Sequence, residues 1–393
     1  MGQHLKFKTY DYASFGGYIM YAACTMVIPV CLLKMSSSLE FGLTAGGALH
    51  FCRSIFMLIS MLCCTYIASR FGKARPLGTG LLVMGIGMCA IASAPTYGVL
   101  LAAMAFAGLG KGLFESLVTP FIQDRHREDQ PGRYINFTHA FWSIGVVMGV
   151  VAATAAVHLN VSWRIITGVC GLMTLIPGII FFTARQPEQN SSGTPGVLKR
   201  AAGLLGNRRF LLFLLMLFIA GGSEHCLLFW TPTFIHRELG GGAIMCGAAT
   251  VIFASGMILG RLGVGVFLRQ NRLFTVLITA AGAGMTAGII AAFVHNTFIM
   301  FGMMFLLGIA SGPLWPSIQS YCVERLKDQE ATLMLILLPC VGIPGCGFFP
   351  WLMGIAGEFS GFRNSFFMIP LCHFLLLALL LFEYISYRKE SLQ

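Results

Sequence analysis

The stretch Gly80-Leu81-Leu82-Val83-Met84-Gly85-Ile86-Gly87-Met88-Cys89-Ala90-Ile91-Ala92-Ser93-Ala94 carries no charge and no strong polar group. Read alone, such a run fits a buried core helix or a membrane span. Its recurrence decides between them. Comparable runs at 210–220 and 374–382 show that apolar sequence is spread along the whole chain rather than gathered into one core. The 393 residues are 56% hydrophobic and only 10% charged, against roughly a quarter charged in soluble domains. Mean hydropathy is +0.79. In water this chain would expose too much apolar surface; in lipid it needs only helices that satisfy their own backbone groups.

With a spanning window of roughly twenty residues, helices are predicted at about 12–34, 43–69, 76–94, 97–122, 135–157 and 162–183. Six more follow at about 209–235, 243–268, 273–294, 297–322, 331–356 and 363–387. Between the sets lies one long polar segment, containing Gln186-Pro187-Glu188-Gln189-Asn190-Ser191-Ser192-Gly193, which reads as a linker. The expected fold is an all-α membrane protein of twelve transmembrane helices in two pseudo-symmetric six-helix bundles. The expected divisions are 1–183, a cytoplasmic linker at 184–208, and 209–393.

The net charge of +11 could point to an anionic partner, but its distribution speaks for topology. Nineteen of the 26 Lys and Arg residues fall on one side of the predicted spans, among them Lys6, Arg70, Lys73, Arg75, Arg125 and Arg133. Three (Lys34, Arg237, Arg363) fall on the other, and four (Arg53, Lys111, Arg164, Arg261) fall within spans. The positive-inside rule then puts both termini and the linker in the cytoplasm. Weak internal similarity supports two halves in the same orientation. Arg70-Phe71-Gly72-Lys73-Ala74-Arg75 follows the second span and Arg269-Gln270-Asn271-Arg272 the eighth; Trp163-Arg164 opens the sixth and Phe362-Arg363 the twelfth. Parallel repeats of this kind place a substrate site near the bilayer midplane.

Lys6 and Lys8 precede a first apolar stretch long enough to span, with no cleavage site, so no signal peptide is expected. The 13 cysteines sit mostly in apolar segments without metal-ligand spacing and read as small packing residues. No catalytic pairing stands out on any loop. The sequence therefore points away from an enzyme and calls for no cofactor, metal or nucleic acid; the expected partners are a small solute, protons and the lipid bilayer, with the chain acting as a monomer.

The turn at Arg70–Arg75 is similar to the loop signature of the major facilitator superfamily between its second and third helices, with Ser69 where an Asp is usual. Within that superfamily the sequence most resembles the fucose permease group of proton-coupled sugar symporters. Gly108-Leu109-Gly110-Lys111-Gly112-Leu113-Phe114-Glu115 resembles the group's fourth helix with its intramembrane carboxylate. Asn136-Phe137-Thr138-His139-Ala140-Phe141-Trp142-Ser143-Ile144-Gly145 resembles its fifth helix. Glu224 with Trp230-Thr231-Pro232 resembles its seventh, and Gly312-Pro313-Leu314-Trp315-Pro316 through Glu324-Arg325 its tenth. One departure is that residues 17–29 hold no acid, where that group carries an Asp. The resemblance implies uptake of a sugar or sugar derivative by proton symport and alternating access; the short loops and lack of large extensions point to a bacterial inner membrane. An organic-anion carrier or a drug/proton antiporter of the same superfamily is the alternative.

Lys111 and Glu115 stand one helical turn apart and share a face. A charge in hydrocarbon costs at least a few kcal/mol, so both are expected to face the protein interior or a cavity. A nearby ammonium favours the ionised carboxylate and a dry cavity the protonated one, an alternation that suits proton coupling; the competing role is a static pair holding helices together. Glu224 is the second coupling or binding candidate. Asn136 and His139 can bind hydroxyls, relay protons or brace neighbouring helices. Arg53 can meet an anionic substrate or pair internally. Tyr21 and Trp315 offer ring faces for a sugar, and Gln319, one turn beyond Trp315, an amide for its hydroxyls. Arg70, Gly72, Lys73, Arg75 and Arg261 are the expected gating residues.

Overall fold

The computed structural model describes residues 5–41, 43–183 and 197–387. Within them no strand occurs and helices account for nearly the whole chain. The first set is α1 (Thr9–Leu39), α2 (Leu43–Phe71), α3 (Ala74–Ser93), α4 (Tyr97–Arg125), α5 (Pro131–His158) and α6 (Trp163–Thr183). A short helix, α7 (Val197–Leu205), precedes α8 (Arg208–Leu239), α9 (Ala243–Phe267), α10 (Leu273–Phe293), α11 (Thr297–Ser311) and α12 (Leu314–Arg325). α13 (Ala331–Ser360), the single turn α14 (Phe362–Ser365) and α15 (Met368–Tyr387) complete the chain. Twelve stretches are long and apolar enough to cross a bilayer, and this is a multi-pass membrane protein. Large apolar side chains such as Phe51, Leu172 and Phe382 are exposed, as contact with lipid tails requires rather than forbids.

Three elements depart from the sequence expectation. The tenth span is two helices, α11 and α12, because Pro313 and Pro316 lack the amide hydrogens a continuous helix would use. The first begins at Thr9 rather than near 12 and so takes in Asp11, whose Oδ2 accepts from the Lys8 amide at 2.7 Å and closes the helix start. The linker's polar core at 186–193 lies outside the described residues. Its far end holds α7 and then Asn207, whose Oδ1 caps α8 by accepting from the Arg209 and Phe210 amides.

The chain falls into two compact units. The first is His4–Arg125 with Phe141–Leu198; the second is His126–Ala140 with Lys199–Gln393. α5 is thus divided at residue 140. Within the first unit α3 packs on α4 and α6, and α2 on α4. The close approach of α3 to α4 depends on absent side chains: a Cβ on Gly80 would lie 2.8 Å from the Gly110 carbonyl oxygen. Within the second unit α8 packs on α13, α9 on α11 and α10 on α15. There a Cβ on Gly256 would strike the Phe305 carbonyl, and one on Gly308 that of Phe253. Both units therefore bring helices close through the same small-residue device.

Candidate functional site

In the first unit, α1, α2 and α4 bring together four of the residues singled out from sequence. Lys111 and Glu115 are both buried on α4, with Arg53 on α2 and Tyr21 on α1. Lys111 Nζ donates to Thr25 Oγ1 at 2.7 Å and lies 4.4 Å from the centre of the Tyr21 ring, a cation–π contact in a dry setting. The Tyr21 hydroxyl donates to Glu115. Tyr21 thus touches the cation with its face and the carboxylate with its edge. Tyr18 packs edge-on against it at 6.3 Å and Phe114 lies tilted beside it at 5.9 Å, and the two fix its orientation. Arg53 stands within electrostatic reach of Tyr21 and Cys24. Its backbone is pressed onto α4, because a Cβ on Gly108 would collide with the Arg53 carbonyl. A cavity of about 10 Å³ opens between Arg53, Lys111, Cys24 and Thr25, with Met84, Met88 and Ala107 as its apolar wall. That volume holds about one water-sized group.

The loop expected to gate this unit is built around Gly72, at φ +71°, a conformation costing L side chains about 1 kcal/mol or more. Lys73 is buried and forms an ion pair with Asp124 at the end of α4. Asp124 therefore supplies the carboxylate that Ser69 lacks; Ser69 itself only donates to the Tyr66 carbonyl. Arg70 reaches the Tyr66 hydroxyl at 2.9 Å and Arg75 is exposed. Asp11, 1% exposed, faces Arg125 at 3.9 Å. It is the acid of the first helix, but it sits in the opening turn rather than at mid-span.

The second unit holds the other candidates. Glu224 on α8 and Arg261 on α9 form a buried ion pair, Nη2 to Oε2 at 2.9 Å. Arg261 also donates through Nε to the Gly312 carbonyl at 2.7 Å and through Nη1 to that of His139 at 3.1 Å. Expected at the gate, this guanidinium is spent on Glu224, on the carbonyl at the break between α11 and α12, and on α5. The break thus has a use: it frees an acceptor for Arg261. Asn136 donates to the Gly132 carbonyl at 2.9 Å and to Ser317 Oγ at 3.2 Å, a bracing arrangement. Trp315 is buried with its ring against Gly221 of α8 and Gly342 of α13, where an added Cβ would come within 2.6 Å of it. Gln319, one turn on, is wholly buried, and neither its amide nitrogen nor its oxygen has a protein partner. Lys111 and Glu115 accordingly belong to one unit and Glu224 to the other.

Two buried networks escaped the sequence reading. Glu383 on α15, 0% exposed, accepts from Arg209 Nε at 2.9 Å and from the Tyr321 hydroxyl at 2.8 Å; Tyr321 in turn accepts from Arg325 Nε at 2.7 Å. His373 lies between Ser223 and Ser311, at 3.2 and 3.3 Å, with the Ile369 carbonyl at 2.9 Å. Both stand inside apolar runs, and an acid or His at a place where lipid would not tolerate it is the signal that could have found them.

Two helical units spanning a membrane, each with ionisable side chains buried in mid-span, define a solute transporter rather than an enzyme. The chain belongs to the Major Facilitator Superfamily, whose model matches residues 13–338. Comparison with curated protein sequences finds no match. Among solved structures it is similar to the E. coli fucose:proton symporter, with a TM-score of 0.82 at 15% identity over 96% of this chain and 99% of that one. A second structure of that transporter, in the outward conformation, gives 0.81 at 15% identity over the same shares. The human organic anion transporter TETRAN gives 0.74 at 14% identity, over 95% and 99%. At these identities the likeness is one of fold.

Proposed function

We propose that the protein is a proton-coupled symporter that takes up a small polar solute, a monosaccharide or sugar derivative, by alternating access. The observation that carries this reading is the Lys111–Tyr21–Glu115 cluster: a carboxylate held in a membrane span, beside a cation and under an aromatic ring. A carboxylate buried in a span is costly and by default marks a functional position, and exchanging a proton there is a use that transport against a gradient requires. The likeness in fold to a fucose:proton symporter agrees with it. Glu224 is the second candidate acid, Gln319 and Trp315 are candidate solute contacts, and the Lys73–Asp124 pair with the Gly72 turn is the candidate gate. The basic-residue asymmetry supports a chain with both termini and the linker in the cytoplasm; in this reading it acts as a monomer, in a bacterial inner membrane like that of its fold neighbour.

The test is uptake into proteoliposomes under an imposed inward proton gradient, with a panel of monosaccharides and their derivatives. Wild-type protein is expected to accumulate solute above the outside concentration, and Glu115→Gln only to equilibrate it. Accumulation by Glu115→Gln equal to wild type removes Glu115 from the coupling role.

A further inference from the structure

At one end of the second unit a cleft of about 320 Å³ opens between the start of α8, the end of α12 and the end of α15. Asn207, Arg209, Arg325, Asp328, Gln329 and Tyr387 line it. All stand at or just beyond the ends of membrane-spanning stretches, on the side where most Lys and Arg residues fall. Asp328 and Gln329 are exposed, so the cleft opens to water past the turn that follows α12. Leu326 is the one aliphatic side chain in its wall. The volume lies at the lower end of small-molecule sites, roughly 300–1,000 Å³, and the lining is polar rather than apolar.

The two arginines differ in what they have left to donate. Arg209 is fully engaged: Nε and Nη2 meet Glu383 Oε1, Nη1 reaches the Arg325 carbonyl at 3.4 Å, and its plane lies on the Tyr387 ring at 4.6 Å. Arg325 donates through Nε to the Tyr321 hydroxyl at 2.7 Å, with the Tyr321 and Tyr384 ring centres 4.9 and 5.9 Å from its guanidinium carbon. Among the described residues, Nη1 and Nη2 of Arg325 donate to nothing. The outer edge of this fork is therefore held in place by neighbours that do not use it. Asn207 is arranged in the same way. Its Oδ1 caps α8, and among the described residues its amide nitrogen donates to nothing.

A guanidinium edge matches two oxygens of a phosphate or carboxylate. The amides of Asn207 and Gln329 add donors around the same space, and the start of α8 adds a partial positive charge. Donors on several sides suit a tetrahedral oxyanion better than a planar one. Asp328 is the one acid in the wall. Exposed at the rim, it is screened by water and is placed to accept from hydroxyls beside the phosphate.

We infer that this cleft binds a phosphate group carried by a small hydroxylated ester: Arg325 takes two oxygens through Nη1 and Nη2, Asn207 and Gln329 take a third, and Asp328 accepts from the hydroxyls. A soluble sugar or glycerol phosphate and the head group of phosphatidylglycerol share this chemistry. The site has no residue in common with the Lys111–Glu115 cluster, so its failure would leave the transport reading untouched.

The experiment melts the full chain in a neutral detergent with sn-glycerol 3-phosphate, glucose 6-phosphate, a short-chain phosphatidylglycerol, sulfate or chloride, at matched ionic strength and over a range of concentrations. A saturable rise in melting temperature is expected with at least one phosphate ester, at lower concentration than with sulfate or chloride. A rise with phosphatidylglycerol and neither soluble ester supports the site and assigns its ligand to the lipid; a rise with a soluble ester supports it and assigns the ligand to water. Arg325→Gln should raise the half-maximal concentration about tenfold or more, the range of a charge-assisted hydrogen bond. Gln329→Glu should raise it too, by adding a second acid to the wall. Gln329 is exposed, so this variant decides the matter even where Arg325→Gln does not fold. No saturable rise with any ester overturns the site, as does an equal effect of sulfate or chloride. An unchanged half-maximal concentration in Arg325→Gln, or in Gln329→Glu where the first does not fold, overturns it as well.

Discussion

Arg164 and Arg363 make the same bond in the two units. Nη1 of Arg164 lies 2.7 Å from the Ala94 carbonyl oxygen and 3.0 Å from that of Ala92. Nη1 of Arg363 lies 2.7 Å from Val294 and 3.3 Å from Ala292. Each ties the start of a last span to the carbonyls that end α3 or α10, which have no partner within their own helix. The Trp163-Arg164 and Phe362-Arg363 openings, similar in sequence, are thus similar in work. Replacing either Arg with Lys keeps the charge and loses the fork. A loss of about 1–2 kcal/mol is expected at each site, read as a lower melting temperature in detergent. An unchanged melting temperature in both variants would leave the shared bond without energetic weight.

The Glu224–Arg261 pair is expected to behave as a buried unit. Glu224→Gln or Arg261→Gln alone strands the other charge, at a cost of about 3–5 kcal/mol. The double variant should lose clearly less than the sum of the two. Melting of the four proteins in a double-mutant cycle checks this, and strict additivity would contradict the pairing.

At α15, Glu383→Gln should destabilise more than Tyr321→Phe. The first removes the charge that balances Arg209, while the second removes a hydroxyl and its bonds, worth about 1 kcal/mol each. The same melting assay ranks them, and the reverse order would show that the hydroxyl, not the carboxylate, organises this network.

Glycines should differ by site. A Cβ on Gly87 would lie 2.8 Å from that of Ala107, whereas one on Gly98 meets nothing within 4 Å. Gly87→Leu is expected to cost about 1–3 kcal/mol by forcing α3 and α4 apart, and Gly98→Ala to be near neutral. Comparable melting of the two variants would argue against helix approach as the reason for Gly87.

At the loop between α2 and α3, Lys73→Ala and Asp124→Ala should each slow uptake. The swapped pair Lys73→Asp/Asp124→Lys should recover part of it, because the attraction survives exchange of its signs. If the swap is no better than the single variants, the pair does not serve the gate.

Hydropathy alone located the twelve spans because lipid forbids an unsatisfied backbone and so forces long apolar runs. The ends were less legible. α1 begins at Thr9 because Asp11 closes its own first turn, a short polar signal that an averaging window dilutes. The break between α11 and α12 was written in Pro313 and Pro316, residues that membrane helices often tolerate. At the site, Lys111 and Glu115 announced themselves by being charged within a span. Tyr21 as the link between them did not, since α1 and α4 meet only on folding. Asp124 was hidden for a similar reason: it replaces a missing acid from a different helix, and spacing along the chain says nothing of that.

Gln319 has a further consequence. A buried amide without a protein partner costs about 1–3 kcal/mol, and the fold carries that cost at 0% exposure. Gln319→Met would fill the same space without the debt, so the variant should melt higher than wild type while moving solute more slowly. On the proposed role as a solute contact, the amide is kept at a cost to durability that selection for robustness alone would not bear.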